Sequence, residues 1–467
     1  MNILPIISFL TSLILAIFIV SFCTKRLRIL FVKKLINKAL VNKAIYCSLV
    51  ADELCSYILK SNKKKQQHII KCLASVNISS VIKEIKDSNL ITNIRIMEGK
   101  DVKENTNNIT GKILKAKYYL KVDAQDKALK ILRELSSKKM SLQQRAYTKY
   151  LSAQLSVFEG DMLSASEDLT SSIAFFKKEN KYFEEAEAYF LLGTTHRISG
   201  GYDIADFMLK TASEIYSSIG ASRHEAEVLG TLGLLMSAQN RFDEAQDYYL
   251  KAYKKAQGFK HLQEHIRVQQ IMLEFLKNNK NQASKEASKL LEKTNNKIVK
   301  ASLLDILSRI SMSDKKYTAA SRYAKNSFQI FFSSKNYPAA FESYYLYASA
   351  LFESGKLKQS EQILRDLIKK EKRHSSCFHI ATAYTLLGLI LIKNKDFDRA
   401  KAIFNQAVSK EFCNNRRTGI AIDYANLAVV ERLQGNKNEA MKNIEKALSQ
   451  LSETDEILYN KIKLMMD

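Results

Sequence analysis

A small residue recurs in this chain at intervals of about forty residues, and this spacing constrains the fold more than any other feature. A Leu-Gly or Leu-Ala pair is followed, twelve residues beyond its small member, by an alanine. The four clearest examples are Leu192-Gly193 with Ala205, Leu232-Gly233 with Ala245, Leu387-Gly388 with Ala400, and Leu427-Ala428 with Ala440. Self-similarity of this period is typical of a solenoid, in which each unit buries its apolar face only against its neighbours. The spacing therefore predicts repeated units with a binding surface, and it names no partner.

The composition agrees with helices joined by short turns. The 467 residues include only 2 prolines and 14 glycines, and 46% of them are hydrophobic. Such scarcity of turn-forming residues argues against a sheet with many tight turns. The 6 cysteines form no CxxC pair. We therefore expect the cysteines to be unpaired and the folded part of the chain to be cytosolic.

Positive charge is concentrated near the amino terminus. The formal net charge is +25, and residues 1–103 contain 17 Lys and Arg against 6 Asp and Glu. The rest of the chain contains 56 against 42 and is only mildly basic. A surface built for nucleic acid would carry its charge more evenly, so nucleic acid is disfavoured as a partner. Charge beside an apolar segment favours anionic lipid headgroups instead.

Residues 1–24 have the features of a transmembrane signal anchor. No charged residue lies between Ile3 and Phe22, and twenty helical residues span about 30 Å, the thickness of the hydrocarbon core. A cleaved signal peptide would need basic residues before the apolar run. Here the basic residues follow it, as Lys25, Arg26, Arg28, Lys33 and Lys34. The positive-inside rule then predicts a single-pass membrane protein with its carboxyl-terminal part in the cytoplasm.

The organisation of the remaining chain follows from this anchor. Residues 25–110 are predicted to be a basic, membrane-proximal helical region, either an amphipathic helix on the membrane surface or a continuation of the anchor packed on the first repeats. Abundant Lys, Asn and Ile suggest an AT-rich genome. The bacterial inner membrane is therefore favoured, with the mitochondrial outer membrane as the alternative.

Each repeat is predicted to be helix, turn, helix, with its two helices crossing closely at the small residues. Larger side chains then fill the space between consecutive units. The residues predicted to make this packing are Tyr189, Gly193, Ala205, Gly233, Ala245, Tyr384, Gly388, Ala400, Phe404, Ala428 and Ala440. The pattern resembles the tetratricopeptide repeat (TPR) over residues 111–452, in about nine units. The forty-residue spacing and the missing closing proline depart from that family's period of about 34, and both predict longer helices.

The resemblance implies an all-α solenoid of helix-turn-helix repeats with a concave groove that binds an extended peptide or a partner helix. A terminal repeat needs a polar cap, and residues 453–467 are predicted to be that capping helix. Some members of this family hold carboxyl-terminal tails with a Lys, Asn and Arg clamp. The corresponding positions here carry Thr194, Leu234, Leu389 and Val429, so this clamp is not expected.

One string has the form of an enzyme motif. His261-Leu262-Gln263-Glu264-His265 resembles the inverted zinc-protease motif HxxEH, in which the two histidines share a metal and the glutamate acts as base. No third ligand is identifiable, so ordinary surface or groove residues are the favoured interpretation. The same holds for a second possible metal site at His374, Cys377 and His379. We expect no enzyme activity and no cofactor.

Two further residue types bear on binding. Basic pairs such as Arg416-Arg417 lie near predicted helix ends, where positive side chains complement the helix dipole. The alternative is a line of basic sites along the groove that receives acidic partners. Most of the 22 tyrosines, including Tyr344-Tyr345, are predicted to pack between helices, while a few facing the groove could anchor a ligand.

Together these patterns predict a membrane-anchored scaffold whose repeats recruit another protein. The anchor and its basic flank would hold the protein at the membrane, and the partner itself is not predicted. The alternatives are a metal-dependent enzyme using residues 261–265 and a basic nucleic-acid or regulatory binder. Steep salt dependence of binding would distinguish the nucleic-acid binder.

Overall fold

The computed structural model describes residues 108–122, 124–373, 379–413, 416–451 and 456–465, with six isolated residues closer to the amino terminus. The chain divides into two compact units. Unit 1 comprises Met1–Ser152, Asp168–Tyr189 and Glu214–Ala221; unit 2 comprises Ala153–Glu167, Phe190–Ser213 and Ser222–Asp467. The predicted anchor, its basic flank (Lys25, Arg26, Arg28, Lys33 and Lys34) and nearly all of residues 25–110 lie outside the described residues.

Within the described residues the chain forms consecutive helices and no strand, which confirms the predicted all-α solenoid of helix pairs. The helices are α1 (Ile109–Lys121), α2 (Gln125–Ser136), α3 (Leu142–Glu159), α4 (Met162–Lys178), α5 (Tyr182–Ile198), α6 (Tyr202–Ser218), α7 (Ser222–Ala238), α8 (Phe242–Lys255), α9 (Lys260–Leu276) and α10 (Lys280–Lys293). They continue with α11 (Lys297–Ser313), α12 (Tyr317–Ser333), α13 (Tyr337–Glu353), α14 (Leu357–Arg373), α15 (Ile380–Lys393), α16 (Phe397–Cys413), α17 (Arg417–Leu433), α18 (Lys437–Ser449) and α19 (Glu456–Lys463). From α5 onward the odd-numbered helices through α17 are the first helices of the pairs.

The turns explain why the period is forty residues. Helices of 17 residues recur, and most of them are followed by three residues of turn, so a helix with its turn occupies twenty residues and a pair occupies forty. After α7 the turn residue Asn240 has φ +60°, and the Arg241 N–H donates to the Met236 carbonyl at 2.9 Å. This is the Schellman geometry that ends a helix with a left-handed residue. Equivalent left-handed residues are Asn180, Gly200, Gly220, Lys315, Lys335, Gly355, Lys395 and Gly435.

The period shortens in the middle of the chain because two second helices are shorter. Helices α8 and α10 have 14 residues each, three fewer than α12 or α14. The small residue of the repeat consequently moves from Gly233 to Ser308 over two units, an interval of 75 residues instead of 80. The two second helices are together six residues shorter, the turn after α8 is one residue longer, and α9 and α11 keep 17 residues, which gives the net difference of five.

In unit 2 the two helices of a pair cross at the small residue. A methyl group added at Gly388 would lie 2.6 Å from the Phe404 ring, and one at Gly233 would overlap the Tyr249 ring. Where the small residue is Ser308, its hydroxyl donates to the Ala320 carbonyl at 3.0 Å. The helices of a pair therefore approach so closely that this position holds glycine, as at Gly388, alanine, as at Ala428, or a serine whose hydroxyl bonds to the opposite backbone, as at Ser308.

The other residues predicted to pack the repeats occupy the following places. Within unit 2, a methyl group at Gly193 would lie 2.8 Å from Leu209 Cγ and 3.2 Å from the Ala205 carbonyl. Tyr384 packs partly buried against the core around Leu387 and Ile390. The remaining predicted residues of this unit are buried, namely Ala205, Ala245, Ala400, Phe404, Ala428 and Ala440. Ile462 of α19 packs with Ala428 and Ala440 at the end of the last pair.

Unit 1 has its own aromatic core. The Tyr147 and Phe176 rings meet edge to face with centroids 5.2 Å apart, and Phe183 and Tyr216 do so at 5.6 Å. The Tyr147 hydroxyl donates to the buried Glu184 carboxylate. Tyr189 also belongs to unit 1 and is half-buried. Offset and edge-to-face ring pairs of this kind stabilise cores by about 0.5–1.5 kcal/mol beyond the area that they bury.

The predicted single-pass membrane localisation is corrected by the structure. None of the helices that the structure describes is both long enough and apolar enough to cross a membrane. The most apolar of them, α15, has 14 residues and is therefore about 21 Å long, less than the roughly 30 Å of the hydrocarbon core. Its apolar residues are buried against neighbouring helices of the solenoid.

The close helix crossing generates a stability prediction. Replacing Gly388 by alanine should lower the free energy of unfolding by about 1–3 kcal/mol, because the added methyl group overlaps the Phe404 ring. Urea denaturation followed by circular dichroism measures this change. The double variant Gly388→Ala with Phe404→Leu should recover part of the loss, since a smaller side chain makes room for the methyl group. If Gly388→Ala lowered the free energy of unfolding as much in the Phe404→Leu protein as in the wild type, the crossing geometry would be contradicted.

Candidate functional site

The first helices of unit 2 form a continuous layer. Each first helix contacts its own second helix and also the first helix of the next pair, from α7 through α17. Repeat positions on these helices therefore stand side by side in neighbouring pairs. Three residues before the small residue, successive pairs carry Asp305, Tyr345 and Thr385. A row of polar side chains thus follows the layer from one repeat to the next.

A cavity of about 810 Å³ lies against this layer, entirely within unit 2. Its wall is formed by α13, α15, the beginning of α17 and the turn between α5 and α6. The lining residues are Ile198, Ser199, Gly200, Gly201, Tyr202, Tyr345, Thr382, Thr385, Glu411, Arg416, Arg417, Thr418, Gly419, Ile422 and Gln450. Hydroxyl, amide, carboxylate and guanidinium groups share this lining about equally with apolar surface, so the cavity offers both hydrogen-bonding groups and apolar contacts.

A hydrogen bond from a hydroxyl to an aspartate joins neighbouring first helices at two places. The hydroxyl lies on the later helix in one of these bonds and on the earlier helix in the other. The Ser343 hydroxyl on α13 donates to Asp305 Oδ2 on α11 at 2.9 Å. Two repeats later, the Thr385 hydroxyl on α15 donates to Asp423 Oδ1 on α17 at 2.7 Å. In each pair the two residues are 38 positions apart. The hydroxyl and the carboxylate have exchanged places between the two repeat positions, and the bond is retained.

Burial changes the acidity of both aspartates. Loss of solvent around Asp305 raises its pKa to about 7, against the opposing effect of hydrogen bonds from Ser327 and Ser343. Burial also raises the pKa of Asp423 to about 7, with Thr385 opposing the shift and nearby Glu411 adding to it. Each aspartate keeps one buried carboxylate oxygen without a hydrogen-bond partner. Both carboxyl groups are therefore close to half protonated at neutral pH.

Tyr345 stands between charged groups on the same layer. Burial raises the pKa of its hydroxyl, and the cations Arg416 and Arg309 partly offset this effect. Its ring belongs to the packed core around Leu386 and Leu387, while the residue also lines the cavity. Sequence analysis predicted that most tyrosines pack between helices and that a few face the groove. Tyr345 does both.

Arg416 and Arg417 line the cavity at the start of α17. The sequence-based interpretation placed them near the ends of second helices, where they would complement the helix dipole. Arg416 instead directly precedes a first helix, and its Nε lies 3.5 Å from Glu411 Oε2. The structure therefore places this basic pair in the wall of the cavity, which corresponds to the alternative of basic sites along the groove.

The HxxEH string has ordinary hydrogen-bond partners. It lies in the first turns of α9, where Thr294 donates to Glu264 Oε2 at 3.0 Å and Asn296 Nδ2 lies 3.2 Å from His261 Nδ1. Burial lowers the pKa of His265. His379 contacts Glu371, whereas His374 and Cys377 lie outside the described residues. In the described part of the chain no three His, Cys, Asp or Glu side chains are grouped as metal ligands would be.

Several residues of the cavity were not identified from the sequence, among them Thr382, Thr385 and Glu411. Asp423, which accepts a hydrogen bond from the lining residue Thr385, was not identified either. The signal for some of them was present. Positions six and three residues before the small residue project from the first helix, and they hold Thr382 and Thr385 before Gly388. Reading these positions across the repeats would have found the groove-facing row. Glu411 follows no such rule, because it comes from the last turn of a second helix.

Comparisons with known proteins recognise the repeats. Residues 184–257 and residues 381–409 each match a family model described as tetratricopeptide repeat, so these two segments contain such repeats. No curated protein matches the chain. The two matched segments include α15 and most of α16, which contribute Thr382, Thr385 and the Gly388–Phe404 crossing.

Solved structures with a similar arrangement of helices have low sequence identity to this chain. One is a Rap protein complexed with competence and sporulation factor, with 12% identity and a TM-score of 0.49, covering 88% of this chain and 98% of that chain. The apo form of the quorum sensor NprR from B. thuringiensis has 15% identity and a TM-score of 0.48, covering 74% and 99%. NprR in complex with its cognate peptide NprX has 14% identity and a TM-score of 0.48, covering 89% and 98%.

The raised pKa of Asp305 predicts a pH-dependent contribution to stability. Its folded-state pKa of about 7 lies above the unfolded value of about 4. The folded protein therefore binds this proton more tightly, and the stability gained below pH 4 is lost as pH rises through 7. Asp305→Asn should remove this component and raise the free energy of unfolding at pH 8 by about 1–3 kcal/mol, because no buried charge remains.

Urea denaturation of the wild type and Asp305→Asn at several pH values from 4 to 8 measures this effect. The difference between the two free energies of unfolding should change through this range and then level off. Asp314→Asn serves as the control, since Asp314 lies at the C-cap of the same helix and its ion pairs with Lys280 and Lys316 are long. A pH-independent difference for Asp305→Asn would show that this carboxyl group titrates normally.

Proposed function

We propose that the chain is a protein-interaction scaffold whose cavity along the first helices of unit 2 binds an extended segment of a protein partner. The observation that carries this proposal is the cavity of about 810 Å³ lined by side chains from consecutive repeats. Its volume falls in the range of about 300–1,000 Å³ that is usual for ligand pockets. No catalytic chemistry is needed to account for its lining.

The character of the lining favours a polypeptide segment over a compact apolar molecule. An extended chain presents a backbone donor or acceptor at every residue. Thr382, Thr385 and Thr418 supply hydroxyl groups, and Gln450 supplies an amide. Ile422, whose surface is 40% exposed, and Ile198 supply apolar contacts. Such a mixture of polar and apolar groups suits a segment with mixed side chains.

The repeated geometry also favours an extended ligand. Thr382 and Ile422 occupy the same position in consecutive repeats, six residues before Gly388 and Ala428. Helices of neighbouring pairs pack about 8–10 Å apart, and an extended chain advances about 3.3 Å per residue. Equivalent groove positions would therefore meet every third residue or so of a bound segment. A scaffold of this kind selects its partner by a periodic set of side chains.

Affinity selection of a random peptide library on the immobilised full-length protein tests this function. We expect selected peptides to bind, and Thr382→Trp to weaken their binding at least tenfold, because the indole fills the cavity. Leu250→Trp is the matched control, since Leu250 is 53% exposed on the second helix α8 and does not line the cavity. Failure to select any peptide, or equal weakening by the two variants, would contradict the proposal.

A further inference from the structure

Glu411 is a buried carboxylate that lines the cavity. It lies in the last turn of α16 and is 1% exposed. Its carboxylate lies over the first turn of α17, where a methyl group added at Gly419 would be 2.5 Å from Glu411 Cδ. Any residue other than glycine at 419 would displace this carboxylate. The chain thus holds a charged group in the wall of the cavity at the cost of a constrained position in the neighbouring helix.

A second buried carboxylate lies close to the first. Asp423 is one helical turn beyond Gly419 on α17 and is also 1% exposed. Its Oδ1 accepts the Thr385 hydroxyl, whereas its Oδ2 has no hydrogen-bond partner. Glu411 Oε2 is buried without a hydrogen-bond partner as well. Leaving a buried acceptor unsatisfied is unfavourable, and more so when it is charged, so one such oxygen in the cavity lining and another on the partner of the lining residue Thr385 require an explanation.

The cation nearest to this pair compensates it incompletely. Arg416 Nε lies 3.5 Å from Glu411 Oε2, longer than the 2.7–2.9 Å of a charge-assisted hydrogen bond. The guanidinium side chain remains 38% exposed. The charge of Glu411 raises the pKa of Asp423 and the charge of Arg416 lowers it. Asp423 also lies near the Tyr345 hydroxyl. Two carboxylates therefore share one loosely placed arginine, and burial raises the pKa of both carboxyl groups.

An equivalent glutamate elsewhere in the chain has one carboxylate oxygen paired with a histidine. Glu371 is forty residues before Glu411, at the same place near the end of a second helix, and is fully buried. Its Oε1 accepts from the His379 backbone N–H at 3.1 Å and lies 2.9 Å from His379 Nδ1. Glu371 Oε2 is nevertheless buried without a hydrogen-bond partner, as Glu411 Oε2 is. Among the described residues Glu411 lacks the histidine contact, because glycine and not histidine stands at position 419, forty residues after His379.

We propose that Glu411 and Asp423 form a subsite for a positively charged group, a guanidinium or ammonium of the segment bound in the cavity. This inference rests on the proposed binding of an extended segment. It adds that the segment carries a positive charge where it contacts Glu411 and Asp423. A cationic donor entering the cavity would satisfy Glu411 Oε2 and Asp423 Oδ2 together. Arg416 would move outward into the solvent that it already partly contacts.

An anionic ligand fits this end of the cavity less well. Arg416, Arg417 and the N–H groups at the start of α17 could attract an anion. The Glu411 carboxylate already lies over that turn, as its contact with Gly419 shows, and would repel a second negative group. An anion would also leave both buried oxygens unsatisfied. A cation removes the unsatisfied acceptors and the repulsion between the two carboxylates at once.

Titration of the full-length protein with small charged probes tests the subsite without requiring the natural partner. The probes are N-acetyl-arginine amide, its neutral isostere N-acetyl-citrulline amide and the anionic N-acetyl-glutamate amide, followed by NMR or calorimetry. We expect saturable binding of the arginine probe alone, with a dissociation constant of about 1–10 mM. Affinity should rise from pH 6 to pH 8, since Asp423 has a pKa of about 7 and a proton competes with the cation.

Four variants separate the subsite from a structural role. Glu411→Gln and Asp423→Asn should each weaken binding of the arginine probe at least tenfold, whereas Glu371→Gln, the matched buried glutamate, should leave it unchanged. Arg416→Gln should strengthen binding at least threefold, because it removes the internal competitor. A gain of affinity cannot arise from misfolding, so this variant keeps the test valid even if the buried substitutions destabilise the protein.

The outcomes distinguish this inference from the proposed function. Absence of saturable arginine binding, equal binding of the citrulline probe, or preferential binding of the glutamate probe would overturn the cationic subsite. Peptides selected by the cavity should be enriched in Arg or Lys, or bind through a free amino terminus. If selected peptides bind the cavity without any such group, the scaffold function stands and the subsite is wrong. If no peptide binds at all, the scaffold function itself fails.

Discussion

The close crossing of the two helices in each pair is the contact on which the rest of unit 2 depends. At Gly388 the backbone of the first helix lies against the Phe404 ring, and at Ser308 a hydroxyl reaches the carbonyl of Ala320. Because the helices cross at this point, one face of the first helix packs against its own second helix. Another face then points toward the neighbouring first helix and the cavity. The small residue thus fixes which positions become groove positions. Residues three and six places before it acquire their role from this one contact.

The twenty-residue module turns that local contact into a continuous surface. A left-handed turn residue ends one helix after another, and the three-residue turn keeps successive helices in the same register. Because the register is kept, a residue on one first helix meets the equivalent place on the next. The bonds from Ser343 to Asp305 and from Thr385 to Asp423 are the result. They join repeats through polar groups that an isolated pair would leave unsatisfied, which couples neighbouring units beyond their apolar contacts.

The fold could be predicted from the sequence because its determinants are local and periodic. The Leu-Gly and Leu-Ala pairs with their later alanines indicate the crossing, and the absent proline indicates the long helices. The cavity was less predictable, since Glu411 reaches it from the end of a second helix and the turn at Ser199 to Tyr202 joins it from about two hundred residues earlier. The periodic pattern of apolar residues does not show which distant segments of the chain line the same cavity. The membrane localisation was inferred from the apolar amino-terminal residues, which lie outside the described part, and no helix within that part supports it.

Polar groups in this layer oppose stability at the positions where we propose that a segment binds. A leucine in place of Asp423 would bury apolar surface and remove an unsatisfied carboxylate oxygen, and replacement of buried charges by apolar residues is often stabilising by about 1–4 kcal/mol. The layer can tolerate such a group because every repeat contributes its own apolar core, including the clusters around Leu387 and Leu427. Stability in a solenoid is close to a sum over repeats and their interfaces. One interface can therefore retain strained acidic groups while its neighbours maintain the fold, and this distribution of roles lets a repetitive sequence acquire a site at a single place.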